Sequence, residues 1–247
     1  MKVFYIIFII IFFPISSYSK TILDKVSPDL SHLWGLSILN NKEVLYTQRS
    51  GKIFKLNIYS KQNTQILDVS DIYNQGQGGL LDIIVDRDKK QIKVIVCLSR
   101  SLSNSKASIS IYSFALIQNT LLNKKILFTA KNPSKSSRHF GCRLAISGNF
   151  IFATIGDRGD RTNSQNFKNH SGSVIKILKN GEYYNNNAFK NALPEILTIG
   201  HRNPQGLAFN PKNKQLWLHE HGPQGGDEVN IILKGKNYGW PILTHGK

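Results

Sequence analysis

Acidic side chains are scarce in this chain. Its 247 residues carry 15 Asp and Glu against 32 Lys and Arg, a formal net charge of +17. Between Lys89 and Gly156 stand eleven Lys or Arg and no acid at all. A surface of one sign attracts anions, nucleic acid and acidic lipid headgroups included. Yet the sequence carries no helix-turn-helix, RNA-binding signature or zinc finger, and charge alone supplies only the sequence-independent part of nucleic-acid binding. Specific nucleic-acid recognition is not expected. Cysteine is sparser still. Cys97 and Cys142 are the only two, which excludes a disulfide framework and a cysteine-based metal site. An exported chain can pair them, but Cys97 lies inside the apolar run Val94 to Leu98 and reads most simply as a small buried hydrophobe.

Long hydrophobic runs are absent except at the start. Lys2 gives a short basic opening, an apolar run reaches about Phe13, and Ser17-Tyr18-Ser19 offers a small-x-small cleavage site. The run is too short for a comfortable membrane span. The expectation is a signal peptide over residues 1–19 and export to the periplasm or the exterior, with a retained anchor as the alternative. Residues 20–247 then form one domain.

A helical period is also missing. Short apolar runs alternate with Gly, Asn, Ser and Pro, the pattern of many short strands and an all-β fold. Within it a repeat emerges. Trp34-Gly35-Leu36-Ser37-Ile38, Gly79-Leu80-Leu81-Asp82-Ile83, Cys142-Arg143-Leu144-Ala145-Ile146 and Gln205-Gly206-Leu207-Ala208-Phe209 each open a strand. A second apolar strand follows each: Glu43 to Tyr46, Lys93 to Leu98, Asn149 to Thr154 and Gln215 to His219. Third strands follow at Lys52 to Leu56, Ser108 to Leu116, Ser173 to Leu178 and Glu228 to Leu233. Four such units are what propeller blades with insertions look like.

One block is densest in chemistry. From Ile199 to Pro241 the chain places Arg202, Asn203, Gln205, His219, Glu220, His221, Asp227 and Glu228 among turn-forming Gly and Pro. Polar groups held between short apolar runs are the mark of a site at strand ends. This block (IGHRNPQGLAFNP, LWLHEHGPQGGDEVN, GKNYGWP), with HFGCRL from His139, IGDRGD from Ile155, NQGQGGLLDI from Asn74 and WGLSI from Trp34, resembles the soluble quinoprotein glucose/sorbosone dehydrogenases, including the aldose sugar dehydrogenases. The resemblance runs from about Leu33 to Trp240.

The resemblance implies a β-propeller of the six-bladed type, of which about four blades are present here. It implies oxidation of an aldose at C1 to the lactone. The cofactor would be pyrroloquinoline quinone (PQQ) held with Ca2+, the hydride passing to the quinone and then to an external electron acceptor. On this reading His139 is the general base, a role that suits a neutral imidazole, and Asp157 orients it. Arg202 and Asn203 contact the quinone carbonyls, where a cation and an amide stabilise the reduced, anionic form. Gln77 lies near cofactor and sugar. The backbone carbonyls of Gly222 and Pro223 hold the Ca2+, a hard cation suited to oxygen ligands, with Asp227 in support. His219 and His221 alternate on one strand face but lack a third zinc ligand. Cys142 stands where the family usually has Gly, so crowding is expected beside His139.

Two rival readings accompany this one. In the first, the chain is a non-catalytic remnant, or one half of a split protein completed by a second copy or a complementing chain. In the second, it is a basic surface-binding protein.

Overall fold

A computed structural model of the chain describes residues 23–27, 32–87, 91–131, 133–182 and 184–246. The expected signal peptide lies outside the described residues. No helix among the described residues is long and apolar enough to cross a membrane. Four antiparallel sheets make up the fold. Strands β1 (Leu33–Ile38), β2 (Glu43–Gln48), β3 (Lys52–Asn57) and β4 (Asn63–Asp68) form the first, in that order. The second runs β5 (Leu80–Arg87), β6 (Ile92–Ser101), β7 (Ala107–Ile117) and β8 (Thr120–Thr129). The third runs β9 (Gly141–Ser147), β10 (Phe150–Ile155), β11 (Ser173–Leu178) and β12 (Ile196–Ile199). The fourth has β13 (Pro204–Asn210), β14 (Gln215–Glu220) and β15 (Glu228–Ile232). The first strands β1, β5, β9 and β13 neighbour one another in turn, so the sheets are blades of a propeller.

Each of the twelve strands expected from the repeat is present. The repeat did not reveal β4, β8 and β12, the outermost strand of each of the first three blades. Outer strands pack on one side only, which leaves β4 with a mostly exposed, polar sequence and no regular alternation.

The blades are held face to face by strict two-residue alternation. On β6, Val94, Val96 and Leu98 point into the core shared with the first blade. Ile95 and Cys97 on the same strand point into the core shared with the third blade. Val174 of β11 joins Leu216, Leu218 and Ile232 between the third and fourth blades, while Ile175 and Ile177 face the second. A strand buried on both faces is largely apolar, which is why β6 carries the unbroken run Val94 to Leu98. Strand β7 is buried too, and its Ser108 and Ser110 are accommodated there by hydrogen bonds to the Ala130 carbonyl and the Thr129 hydroxyl.

Cys97 and Cys142 form a disulfide. This corrects the reading of Cys97 as a plain small hydrophobe: it is fully buried, but its sulfur ties β6 of the second blade to β9 of the third. The alternation explains the pairing, since Cys97 sits on the face of β6 that meets the third blade.

Every first strand also breaks register against its second strand near its N-terminal end. The breaks lie between Leu33 and Leu36, between Leu80 and Asp82, opposite Ala153 to Ile155 on β10, and between Pro204 and Gly206. Bulges re-aim backbone and side chains locally. In the third blade the break falls on Cys142, whose φ of 70° is left-handed. A residue with a Cβ is strained there, in line with the crowding expected at this position.

Candidate active site

The breaks at the starts of β9 and β13 bring four segments together: the loop before β9, the turn after β10, the turn before β13 and the segment after β15. Gly156 marks the closest approach. A methyl group built on it would sit 2.2 Å from the His139 carbonyl oxygen and 3.2 Å from that of Arg202. Only glycine allows these backbones to meet.

His139 and Asp157 are in contact. The imidazole Nδ1 lies 2.7 Å from Asp157 Oδ1, with the two side chains 14% and 2% exposed. Asp157 Oδ1 also accepts the Gly159 amide at 2.7 Å, and Oδ2 accepts the Trp240 indole Nε1–H at 2.9 Å. A carboxylate oxygen already accepting an N–H takes a hydrogen from the imidazole too, so Nδ1 carries the proton and Nε2 keeps its lone pair. Gln77 Oε1 accepts the His139 backbone amide at 2.7 Å, and the Gln77 backbone N–H donates to the Ser137 carbonyl at 2.8 Å. The glutamine side chain thereby fixes the loop that carries the histidine.

Arg158 secures the same loop from beneath. It is buried, its guanidinium stands 3.4 Å from the Phe140 ring centroid, and it donates to the Arg138 carbonyl at 2.5 Å and to that of Ser136. Burial pushes this guanidinium down to about 10, with Tyr73 and Asp157 opposing, so it stays charged near neutral pH.

Arg202 and Asn203 sit on the next wall. The Arg202 carbonyl accepts the Asp157 amide at 2.8 Å, which locks this turn to the His139 corner. The Arg202 amide donates to Glu220 Oε2 at 2.7 Å, and Glu220 Oε1 meets His201 Nδ1 at 2.7 Å. His201 Nε2 in turn meets Thr198 Oγ1 at 2.9 Å. His201 and Glu220 are buried, so this network is a bracket for Arg202 rather than a second reactive centre. The Arg202 guanidinium stands 5.4 Å from the Trp240 ring centroid and donates through Nη1 to the His221 carbonyl at 3.2 Å. Its Nε is buried without a hydrogen-bond partner among the described residues. Asn203 is buried, with its Oδ1 accepting from Gln205 at 2.9 Å.

The loop from His221 to Asp227 lies on the outside of this wall. His221 Nδ1 is 3.2 Å from Asp227 Oδ2, with side chains 57% and 66% exposed. The Gly222 amide donating to Asp227 at 3.0 Å, followed by His221, holds the Asp227 carboxyl below its ordinary range. The loop gathers carbonyl oxygens. A methyl on Gly246 would meet those of Pro223 and Gly225 at 2.1 and 2.4 Å, and one on Gly222 would meet those of Gly225 and Gly226 at 2.3 and 2.4 Å. Among the described residues no group of three or more His, Cys, Asp or Glu could hold a metal. A cation here would therefore rest on carbonyls.

The structure thus gathers His139, Asp157, Gln77, Arg202 and Asn203 into one hydrogen-bonded corner. It sets Gly222, Pro223 and Asp227 on the adjoining loop, joined to Arg202 through the His221 carbonyl. Sequence reasoning missed Trp240, Arg158, His201 and Glu220 as partners. Trp240 and Glu220 stood inside quoted motifs, but nothing local to them signals a partner 83 residues away in the first case or a buried histidine in the second.

A family model described as Glucose / Sorbosone dehydrogenase matches residues 30–247. The chain belongs to this family. The aldose sugar dehydrogenase YliI of Escherichia coli (strain K12) is 34% identical over 233 residues, 91% of this chain and 62% of that protein. Quinoprotein glucose dehydrogenase B of Acinetobacter calcoaceticus is 30% identical over 257 residues, 91% of this chain and 52% of that protein. Among solved structures, the PQQ-bound aldose sugar dehydrogenase of Streptomyces coelicolor superposes with a TM-score of 0.78 at 27% identity, covering 90% of this chain and 66% of that one. The chain therefore spans between about half and three-fifths of the length of these two curated relatives.

Proposed function

We propose that the chain serves PQQ-dependent oxidation of an aldose at C1 to the lactone, as an exported periplasmic or secreted oxidoreductase passing electrons to an external acceptor. The carrying observation is the His139–Asp157 contact at 2.7 Å beside an Arg202 Nε that has no partner among the described residues. Aldose and quinoprotein glucose dehydrogenases among the relatives support the substrate class and the cofactor.

In this reading PQQ, when bound, supplies the two-electron acceptor. His139 Nε2 removes the proton of the sugar C1 hydroxyl; Asp157, by accepting the Nδ1 hydrogen, fixes the tautomer that presents the Nε2 lone pair and stabilises the imidazolium afterwards. Arg202 fits an anionic quinone because its buried Nε is a donor in want of an acceptor. Asn203 and Gln77 stand by it as polar groups. The carbonyls of Gly222 and Pro223, with Asp227 behind them, are assigned to Ca2+. Carbonyl oxygens fit a hard cation, and the cradle that a Cβ on Gly222 or Gly246 would fill is lined by the carbonyls of Pro223, Gly225 and Gly226.

A second reading is a propeller that keeps the framework without holding the cofactor alone. Reconstitution separates the two. The chain is mixed with PQQ and Ca2+, and cofactor absorbance and aldose-dependent dye reduction are followed. Uptake with activity that vanishes in His139→Ala supports the dehydrogenase; a folded chain that takes up no quinone supports the second reading.

A further inference from the structure

Asp157 is oriented from an unexpected direction. Its buried carboxylate takes hydrogen bonds from an imidazole, a backbone amide and an indole, and the indole comes from a segment 83 residues away. That segment follows β15 and turns back over the end of β12. Asn237 bridges Ile199, the Tyr238 amide donates to the Ile199 carbonyl at 2.9 Å, and the Trp240 amide donates to the Gly200 carbonyl at 3.0 Å. Gln165 clamps it from the third blade. Its Nε2 donates to the Trp240 carbonyl at 2.6 Å and to Asn237 Oδ1 at 3.0 Å, while Asn237 returns a bond to Gln165 Oε1 at 2.7 Å. The indole, buried to 8% exposure, is held at both backbone ends before it reaches the carboxylate.

We propose that Trp240 is a positioning residue for the His139–Asp157 pair: its indole N–H occupies Asp157 Oδ2 and so commits Oδ1 to His139. An indole N–H only donates, so it cannot exchange roles with the carboxylate as a hydroxyl or a water does. With Oδ2 filled, rotation of the carboxylate would strand a buried acceptor, a costly outcome. The histidine therefore meets one oxygen in one geometry. The charged groups around the pair are Arg158, under Phe140, and Arg161 and Arg202, whose guanidinium carbons stand 5.3 and 5.4 Å from the Trp240 ring centroid. Replacing the indole by a phenyl ring keeps an apolar ring for both arginines and removes only the donor.

The inference rests on the assignment of His139 as the base, but its test does not need turnover. Chain without cofactor is titrated by NMR, following the ring nitrogens of His139 and the three indole N–H signals. The Trp240 indole is expected to move with the His139 midpoint, because both bond one carboxylate, while those of Trp34 and Trp217 do not. In Trp240→Phe the stranded oxygen makes Asp157 more basic, and the His139 midpoint rises by about half to one pH unit. Gln165→Ala, which loosens the clamp without touching Asp157, shifts it the same way by less. A Trp240 signal flat across the His139 titration overturns the proposal, even if Trp240→Phe fails to fold. So does an unchanged midpoint in a folded Trp240→Phe. If the titrations couple and no aldose is oxidised, the positioning role stands and the dehydrogenase reading falls.

Discussion

Two regions of the candidate site are built to different standards. Around Asp157, three N–H donors from three segments converge on one buried carboxylate, and a disulfide crosses between blades three residues from His139. Around Asp227, the carboxylate is 66% exposed and its partners all lie within its own loop. The corner around Asp157 is tied together by hydrogen bonds between distant segments. The carbonyl loop, the proposed cation site, is tied mainly within itself. Preorganisation of this kind is where an enzyme gains rate, because no reorganisation is left for the moment of reaction. The contrast predicts that damage in the first region costs turnover and stability, and that damage in the second costs only ligand affinity.

The largest effect is expected at the buried carboxylate. Asp157→Asn keeps the size but offers an amide that donates, so it clashes with one of the three N–H groups and fails to stabilise an imidazolium. Turnover of the reconstituted chain should fall by about 10²–10⁴-fold, measured as aldose-dependent dye reduction. His221→Ala, on the exposed loop, should lower turnover at saturating PQQ and Ca2+ by less than tenfold. Equal losses would erase the distinction between the regions.

Next in size is the disulfide. It closes a loop of 45 residues, so in the chain-entropy account its removal costs about 4 kcal/mol. Reductant should shift the denaturant midpoint of the wild type to lower concentration and leave that of Cys97→Ala unmoved. Cys142→Gly should be less destabilised than Cys97→Ala by about 1 kcal/mol, because glycine relieves the left-handed φ of 70°. Identical midpoints for the two variants would mean the backbone there is unstrained.

The same contrast explains what could be read from the chain beforehand. The blade repeat was visible because strands buried on both faces carry unbroken apolar runs, as in Val94 to Leu98. The disulfide was not, because Cys97 inside such a run has the profile of any small core residue. Which face it points to depends on the neighbouring blade. His139, Asp157, Arg202 and Asn203 came to notice through a family resemblance carried by their motifs. Polar density among turn-forming residues marked the block that holds Arg202 and Asn203, but nothing in composition singled out His139 or Asp157. Trp240, Arg158 and the His201–Glu220 bracket escaped notice because their roles consist of contacts between segments far apart in sequence. Long-range hydrogen bonds leave no local period.

A smaller effect is expected at the carbonyl loop. Asp227 accepts from the Gly222 amide and from His221, so Asp227→Ala frees the turn that presents the carbonyls. If these carbonyls hold Ca2+, its affinity in the presence of PQQ should fall by about tenfold, read by calorimetry, while the melting temperature without cofactor stays put. A melting temperature that drops without cofactor would show that this loop, too, is part of the framework.

The smallest effect is acid sensitivity of the framework away from the His139 corner. Burial would raise Glu195, but its contact with His170 at 3.2 Å, a backbone hydrogen bond and the charge of Lys131 together outweigh this and hold the carboxyl below its ordinary range. His170 accepts the Lys131 amide through Nδ1 at 3.0 Å, so it offers its other ring N–H to Glu195. Asp71 follows the same pattern: burial would raise it, and the Tyr112 hydroxyl and Lys124 bring it down. A carboxyl depressed in the folded state stabilises the fold at pH above its unfolded value, and that contribution disappears as pH falls through the folded value. The melting temperature should therefore begin to decline below about pH 4, the ordinary carboxylate range. Glu195→Gln should start lower at neutral pH and decline less steeply. Parallel curves for wild type and Glu195→Gln would place the acid-labile groups elsewhere.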